Sequence, residues 1–473
     1  MMDILRAAVL ILLITQGIHC SQRKDSFVFV ILSQESARHT DAARALSTHL
    51  TAECKQLDVP CVVHLAWEDW PGVAAWTYFP LLERLSDAHG TNSSWVIILE
   101  EWVTVRLGKL VHLLHDYNPS QRAFIGRGLA DKGESIIHHF TVVDPSHPLY
   151  YPDTRAGMVL STVLVNRIAS RWSAASSRPG SDFTIDAPYE FASFVKSAGV
   201  ELTHHESVCV QEKPGCATTY NPPQMCDGVV ETHSVHFAVK SCERYHGERL
   251  PIIQATWLKD ATNHAIYSDV EDAALGTVSL GVPNTREGHC GKTLAIIHRA
   301  AELPSIQWLA VVDDDTLISV PRLRRLLSCY DPQDLVALGE KYGFAATTPH
   351  GYDYITGGGG MVFSKALVEQ LAAPGVCKCP SDNTPDDMFL GVCLRKLSVP
   401  IIHSSAFHQN RPNDYPEELL QEGELPLSFH RYWMSDPLEE FARWLNQSSA
   451  SERSSVSDSS PGSVHVELSL VAR

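Results

Sequence analysis

Two stretches of this chain read as copies of one another, so a fold that uses one unit twice is expected. Trp95–Gly126 aligns without a gap on Trp308–Gly339 at a constant offset of 213. Seven positions are identical: Trp95/Trp308, Leu110/Leu323, Leu113/Leu326, Leu114/Leu327, Tyr117/Tyr330, Pro119/Pro332 and Gly126/Gly339. Two shorter matches follow in the same order. Ala156–Ser161 parallels Gly359–Ser364, and Thr184-Ile185-Asp186-Ala187 parallels Thr384-Pro385-Asp386-Asp387.

The units differ in their acids. One strand-like run ends in Glu100-Glu101-Trp102, the other in Asp313-Asp314-Asp315. Where the second unit has Asp387, the first has Ala187. Chemistry is therefore expected only in the C-terminal unit.

Apolar runs such as Phe27–Leu32 and Trp308–Val312 read as buried strands, and segments such as Cys290–Ala301 read as helices. Their alternation predicts an α/β fold with mostly parallel sheets. The expected organisation is a signal peptide or type II anchor at 1–20 and a first domain at 26–208. A Cys/Pro-rich linker at 209–233, a catalytic domain at 234–446 and a disordered Ser-rich tail at 447–473 complete it.

With 44% apolar residues and 20% charged, the chain is ordinary globular material. Its net charge of −17 argues against a nucleic-acid partner, which would need a basic face. A short apolar run, Ala7–Ile14, lies behind Arg6 and fits a secretory leader better than a membrane span of about 20 residues. An uncleaved anchor is the alternative. Either directs the chain into the secretory lumen, where disulfides form. Eleven cysteines lie beyond Cys20, so at least one thiol stays unpaired within the chain. Asn92-Ser93-Ser94 and Asn446-Gln447-Ser448 are glycosylation sequons.

Ligands bind open α/β sheets at the carboxyl ends of strands. Three carboxylates there repel one another unless a cation neutralises them, which suits Mn²⁺ or Mg²⁺. Gly357-Gly358-Gly359-Gly360, between Tyr354-Ile355-Thr356 and Met361-Val362-Phe363, lets backbone approach a ligand closely. Asp386 and Asp387 stand where a helix should begin. Capping explains one such acid, and the pair suggests that one faces a cleft. His408 follows an apolar run and could coordinate a metal; His403, His430 and His350 are weaker candidates.

Taken in order, Val311–Asp315, Ile355–Gly360, Pro385-Asp386-Asp387 and Phe407-His408, with Arg249…Thr256-Trp257, resemble the β-1,3-glycosyltransferases that include Fringe (glycosyltransferase family 31). Gly288–Thr293, Tyr352–Gly357 and Phe407–Pro412 resemble more closely the β-1,3-glucosyltransferase branch that extends O-linked fucose on thrombospondin type 1 repeats. The resemblance implies tandem GT-A domains, the N-terminal copy degenerate and non-catalytic. It also implies UDP-glucose as donor, Mn²⁺ (or Mg²⁺), fucosylated thrombospondin-repeat acceptors and the endoplasmic reticulum.

Carried over by position, Asp313, Asp314 and Asp315 match the DxD element, with Asp313 and Asp315 toward the metal and Asp313 and Asp314 toward the nucleotide. His408 matches the distal metal ligand. Asp387 matches the catalytic base, with Asp386 beside it. Lys292 and Asp269 fall where the nucleotide is contacted, with Gly358 and Gly359 lining the same site. The end, Leu470–Arg473, departs from the ER-retrieval tetrapeptide typical of that branch. A Fringe-like N-acetylglucosaminyltransferase and a non-enzymatic lumenal glycan-binding protein are the competing readings.

Overall fold

The computed structural model describes residues 25–70, 78–138, 144, 146–174, 183–345 and 351–446. The expected leader, the Ser-rich tail, His350 and most of the Ser/Arg-rich stretch after Arg171 lie outside the described residues.

Two sheets are built on one plan. In the first, neighbours run Thr203–His204, Phe124–Gly126, Met158–Ser161, Trp95–Glu100, Phe27–Leu32 and Cys61–Leu65. In the second they run Ile401–His403, Ala337–Gly339, Met361–Ser364, Trp308–Asp313, Val235–Lys240 and His264–Ser268, with Thr277–Ser279 added at the edge. Directions match as well. The Phe27 and Val235 strands are parallel to both neighbours, whereas the Met158 and Met361 strands are antiparallel to both of theirs. Each sheet is thus mostly parallel, as expected, with one reversed strand. In the second, a hairpin of Lys341–Phe344 with Tyr352–Ile355 stands between the Ala337 and Met361 strands. Among the described residues no helical crossover, which would keep them parallel, joins them.

Burial explains the strand composition. Phe27–Leu32 is buried on both faces, with Val28, Val30 and Leu32 in one core and Phe27, Phe29 and Ile31 in another. Trp308–Val312 divides likewise: Trp308, Ala310 and Val312 face one way, Leu309 and Val311 the other. Helices such as Ala37–Gln56 and Cys290–Ala301 cover these faces.

The segment expected to be a linker contributes to the first unit. Thr218–Tyr220 pairs antiparallel with Val103–Val105, just as Ser428–His430 pairs with Thr316–Ile318 in the second. Five disulfides form: Cys54–Cys61, Cys209–Cys216, Cys226–Cys329, Cys290–Cys379 and Cys377–Cys393. Cys242 is free and buried.

The halves are stitched together. Phe183–Thr184 adds a strand to the Lys341–Phe344 hairpin. Gln34 bonds both backbone groups of His403, at 3.0 and 2.8 Å. Among the described residues no helix is long and apolar enough to cross a membrane.

Candidate active site

The central strand of the second sheet runs buried from Trp308 to Val312 and delivers three acids at its carboxyl end. The chain then turns back as Thr316–Ile318, whose partner strand sets Thr316 opposite His430. That register brings His430 Nε2 to 3.0 Å from Asp315 Oδ1 and 3.6 Å from Asp313 Oδ2. Asp313, Asp315 and His430 are the one group among the described residues whose ligand atoms converge closely enough to hold a metal ion. The donor chemistry fits a divalent ion. His430 Nδ1 donates to the carbonyl oxygen of Gln409 at 3.0 Å, which orients the ring so that Nε2 faces the carboxylates, where a bound metal would displace its proton. Gly358 makes room for the ring, because a Cβ there would lie 2.1 Å from Nδ1.

His408 is not in this group. Its Nδ1 bonds the Ser428 carbonyl at 3.1 Å, and its ring stacks on Phe429 at 4.6 Å. Burial pushes its pKa down to about 4, so it is a neutral core residue. The metal set expected from the sequence is therefore corrected: the imidazole beside the acids is His430. His403 is also turned elsewhere, accepting from the Lys341 N–H at 3.1 Å.

Two cations set the electrostatics. Lys240 ends the neighbouring parallel strand in register with Asp313, and its Nζ lies 3.1 Å from Asp313 and 2.6 Å from Asp386. Arg249 reaches Asp314 at 2.8 Å and Asp315 at 2.9 Å, and lies over the Tyr245 ring. Burial works against ionisation of Asp313, yet Lys240 and then His430 hold its carboxyl below the usual range. The same contest leaves Asp315 at about 2, where His430 and Arg249 outweigh burial. For Asp314 burial wins, pushing it up to about 6 despite bonds from Ser241 and Arg249.

Asp386 and Asp387 open the helix Asp386–Lys396, and Pro385 precedes it. Cys377–Cys393 and Cys290–Cys379 tie this helix and the start of Cys290–Ala301 to one loop. The two acids then part. Asp386 accepts from Thr293 Oγ1 at 2.6 Å, and Lys240 holds it below the usual range against burial. Asp387 makes no ion pair among the described residues; it accepts from the Gly357 N–H at 3.4 Å. Burial, then the charge of Asp386, push it up to about 6.

The other sequence candidates surround this centre. Lys292 is buried and donates to the Ser241 carbonyl at 2.5 Å, while the Ser241 hydroxyl donates to Asp314 at 2.6 Å. Asp269 accepts from the Glu243 N–H at 2.9 Å and from Ser268 at 3.1 Å, and its charge partly offsets the burial that lowers Lys292. The Gly358 carbonyl accepts from Thr316, and that of Gly359 from Ser428. Gly360, with φ of 101°, completes the bend. Sequence reasoning missed Lys240, Ser241 and Thr293. A lysine closing an apolar strand, Val235–Lys240, was the available signal for Lys240.

In the first unit the same register places Leu32 beside Glu100, where the second has Lys240 beside Asp313. It places Tyr220 where the second has His430.

A Fringe-like family model matches residues 230–449. A β-1,3-glucosyltransferase from Mus musculus is 41% identical over 88% of this chain and 86% of its own length. The one from Homo sapiens is 41% identical over 88% of this chain and 84% of its own. A β-1,3-N-acetylglucosaminyltransferase manic fringe from Danio rerio is 24% identical over 49% of this chain and 72% of its own. Among solved structures, a glycosyltransferase involved in glycosylation of the PBCV-1 major capsid superposes with a TM-score of 0.26 over 44% of this chain and 98% of its own, at 18% identity, too low to carry an argument.

Proposed function

Because the chain belongs to the family of β-1,3-glucosyltransferases, we propose that it transfers glucose from UDP-glucose to the 3-hydroxyl of O-linked fucose on thrombospondin type 1 repeats. The observation that carries the proposal is the split between Asp386, paired with Lys240, and Asp387, which makes no ion pair among the described residues and keeps a raised pKa although Lys240 acts on it from nearby. Two carboxyls driven apart in this way can be given separate roles.

Asp387 acts as general base, taking the proton of the acceptor hydroxyl as that oxygen attacks the anomeric carbon. A carboxyl poised near 6 is mostly ionised at neutral pH yet basic enough to accept that proton. Asp386 positions Lys240 and Thr293 beside it. Asp313, Asp315 and His430 would hold Mn²⁺, which when bound supplies positive charge to the departing diphosphate. Asp314, through Arg249 and Ser241, fixes the acidic turn. Lys292 and Asp269 line the nucleotide side, and Gly358 and Gly359 let the backbone close over it. Displacement from the far face inverts configuration and gives a β-1,3 product.

The N-terminal unit is a degenerate copy that supports the catalytic one. The loss of Lys240, His430 and Asp387 at Leu32, Tyr220 and Ala187 supports that reading. Five disulfides support a lumenal location, which we assign to the endoplasmic reticulum.

The test is transfer to fucosylated thrombospondin and epidermal-growth-factor-like repeats, with UDP-glucose and UDP-N-acetylglucosamine each in turn. Glucose moving to the thrombospondin repeat is expected. N-acetylglucosamine moving to the other repeat would make the chain Fringe-like instead.

A further inference from the structure

A cavity of about 280 Å³ lies away from Asp313–Asp315, at the corresponding carboxyl edge of the N-terminal sheet. Glu100, Glu101 and Trp102 line it, in the places of the three aspartates, together with Tyr220 in the place of His430 and Ala187 in the place of Asp387. The C-terminal unit closes the other side with residues that include Tyr330, Glu340 and Tyr342. The cleft of the first unit has thus been kept while its metal ligands and base have gone.

What replaced them suits an uncharged, hydroxyl-rich guest. Glu101 is hydrogen-bonded to His39, and Asp186 is ion-paired to His138 at 2.6 Å. Burial pushes Glu100 up to about 7 and Glu340 up to about 8, so both carboxyls carry a proton much of the time at neutral pH and can donate as well as accept. Of the cations on the lining, Arg155 is paired with Asp153 and Lys341 with Asp353, which leaves little uncompensated positive charge for a diphosphate. Trp102, Tyr220 and Tyr330 supply ring faces of the kind that pack against sugar rings.

Tyr78, Glu100 and Tyr342 line the cavity; the first two have Thr154 as a hydrogen-bonding neighbour, whereas the buried Tyr342 hydroxyl has no partner among the described residues. Tyr78 is 1% exposed and Tyr342 7%. A buried hydroxyl without a partner is unfavourable, and a guest with hydroxyls of its own would pair with it. The volume is near the lower end of ordinary small-molecule sites, roughly 300–1,000 Å³, and admits one or two sugar rings.

We propose that this cavity is a second carbohydrate site, which binds a neutral mono- or disaccharide without metal or nucleotide. The inference does not depend on the donor and acceptor assigned above.

The experiment is saturation-transfer NMR on the full-length protein in EDTA. Methyl β-D-glucoside, methyl α-L-fucoside and their β-1,3-linked disaccharide serve as probes, and UDP as the anionic comparison. At least one saccharide should receive saturation, and UDP should not. Trp102→Ala should weaken binding about tenfold. Should Trp102→Ala not fold, Tyr342→Phe removes one hydroxyl only and should weaken it about three- to tenfold. The proposal is overturned if no saccharide binds, if Asp315→Ala abolishes binding, or if Tyr342→Phe leaves it intact.

Discussion

Lys240 holds Asp386, with its ammonium 2.6 Å from Oδ2, and leaves the next residue, Asp387, outside any ion pair. One lysine thereby makes a permanent anion of one acid and leaves the other free to exchange a proton.

Asp387→Asn should lower transfer by about 10²- to 10⁴-fold, the usual cost of losing a general base. UDP binding and thermal stability should stay near wild type, because Asp387 pairs with no cation. Single-turnover transfer and calorimetry on the same sample check this. Undiminished turnover removes Asp387 from the role.

Activity should depend on pH with a defined sign. The folded-state pKa of Asp387 is raised to about 6, and the base must be ionised. The rate should therefore fall as pH drops through about 6 and level off above it. Rates measured at saturating donor between pH 5 and 8 give the profile, and a flat one speaks against this base.

His430→Ala and His408→Ala should separate. The former removes a proposed metal ligand and should weaken Mn²⁺-dependent UDP binding by about 10-fold or more. The latter removes a ring stacked on Phe429 and edge-on to Tyr415, so it should lower the melting temperature and leave metal dependence in place. Titrating Mn²⁺ into each variant with UDP present tells them apart.

Lys240→Met should destabilise the fold by about 3–5 kcal/mol, because Asp313 and Asp386 lose their shared buried cation. Adding Asp386→Asn to that variant should recover part of the loss. Urea unfolding of the single and double variants measures both.

Acid sensitivity follows from Asp315. Its folded-state pKa is depressed to about 2, below the unfolded value near 3.9, so its contribution is full above about pH 4 and is lost as pH falls toward 2. In metal-free protein Asp315→Asn should flatten that limb of the stability curve by about 2 kcal/mol.

Much of this was legible in the chain because it is local. Trp308–Asp313 is a continuous apolar run, and the acids at its end follow from strand direction alone. The pairings that decide the chemistry are not local. Asp315 meets a histidine 115 positions away, and Lys240 meets Asp386 across 146. His408 and His430 each follow a phenylalanine in the sequence, and only the pairing of Ser428–His430 with Thr316–Ile318 distinguishes them. The reversed Met361 strand was hidden for a similar reason. A fully buried strand reads the same in either direction, and its direction is set by the hairpin before it.

The most direct measurement is anomalous diffraction at the manganese edge from crystals grown with UDP and Mn²⁺. One strong peak within bonding distance of Asp315 and His430, with the diphosphate against it and Asp387 on the opposite side of the sugar pocket, is the predicted result. A metal bound elsewhere, or UDP seated away from Asp313–Asp315, would contradict it.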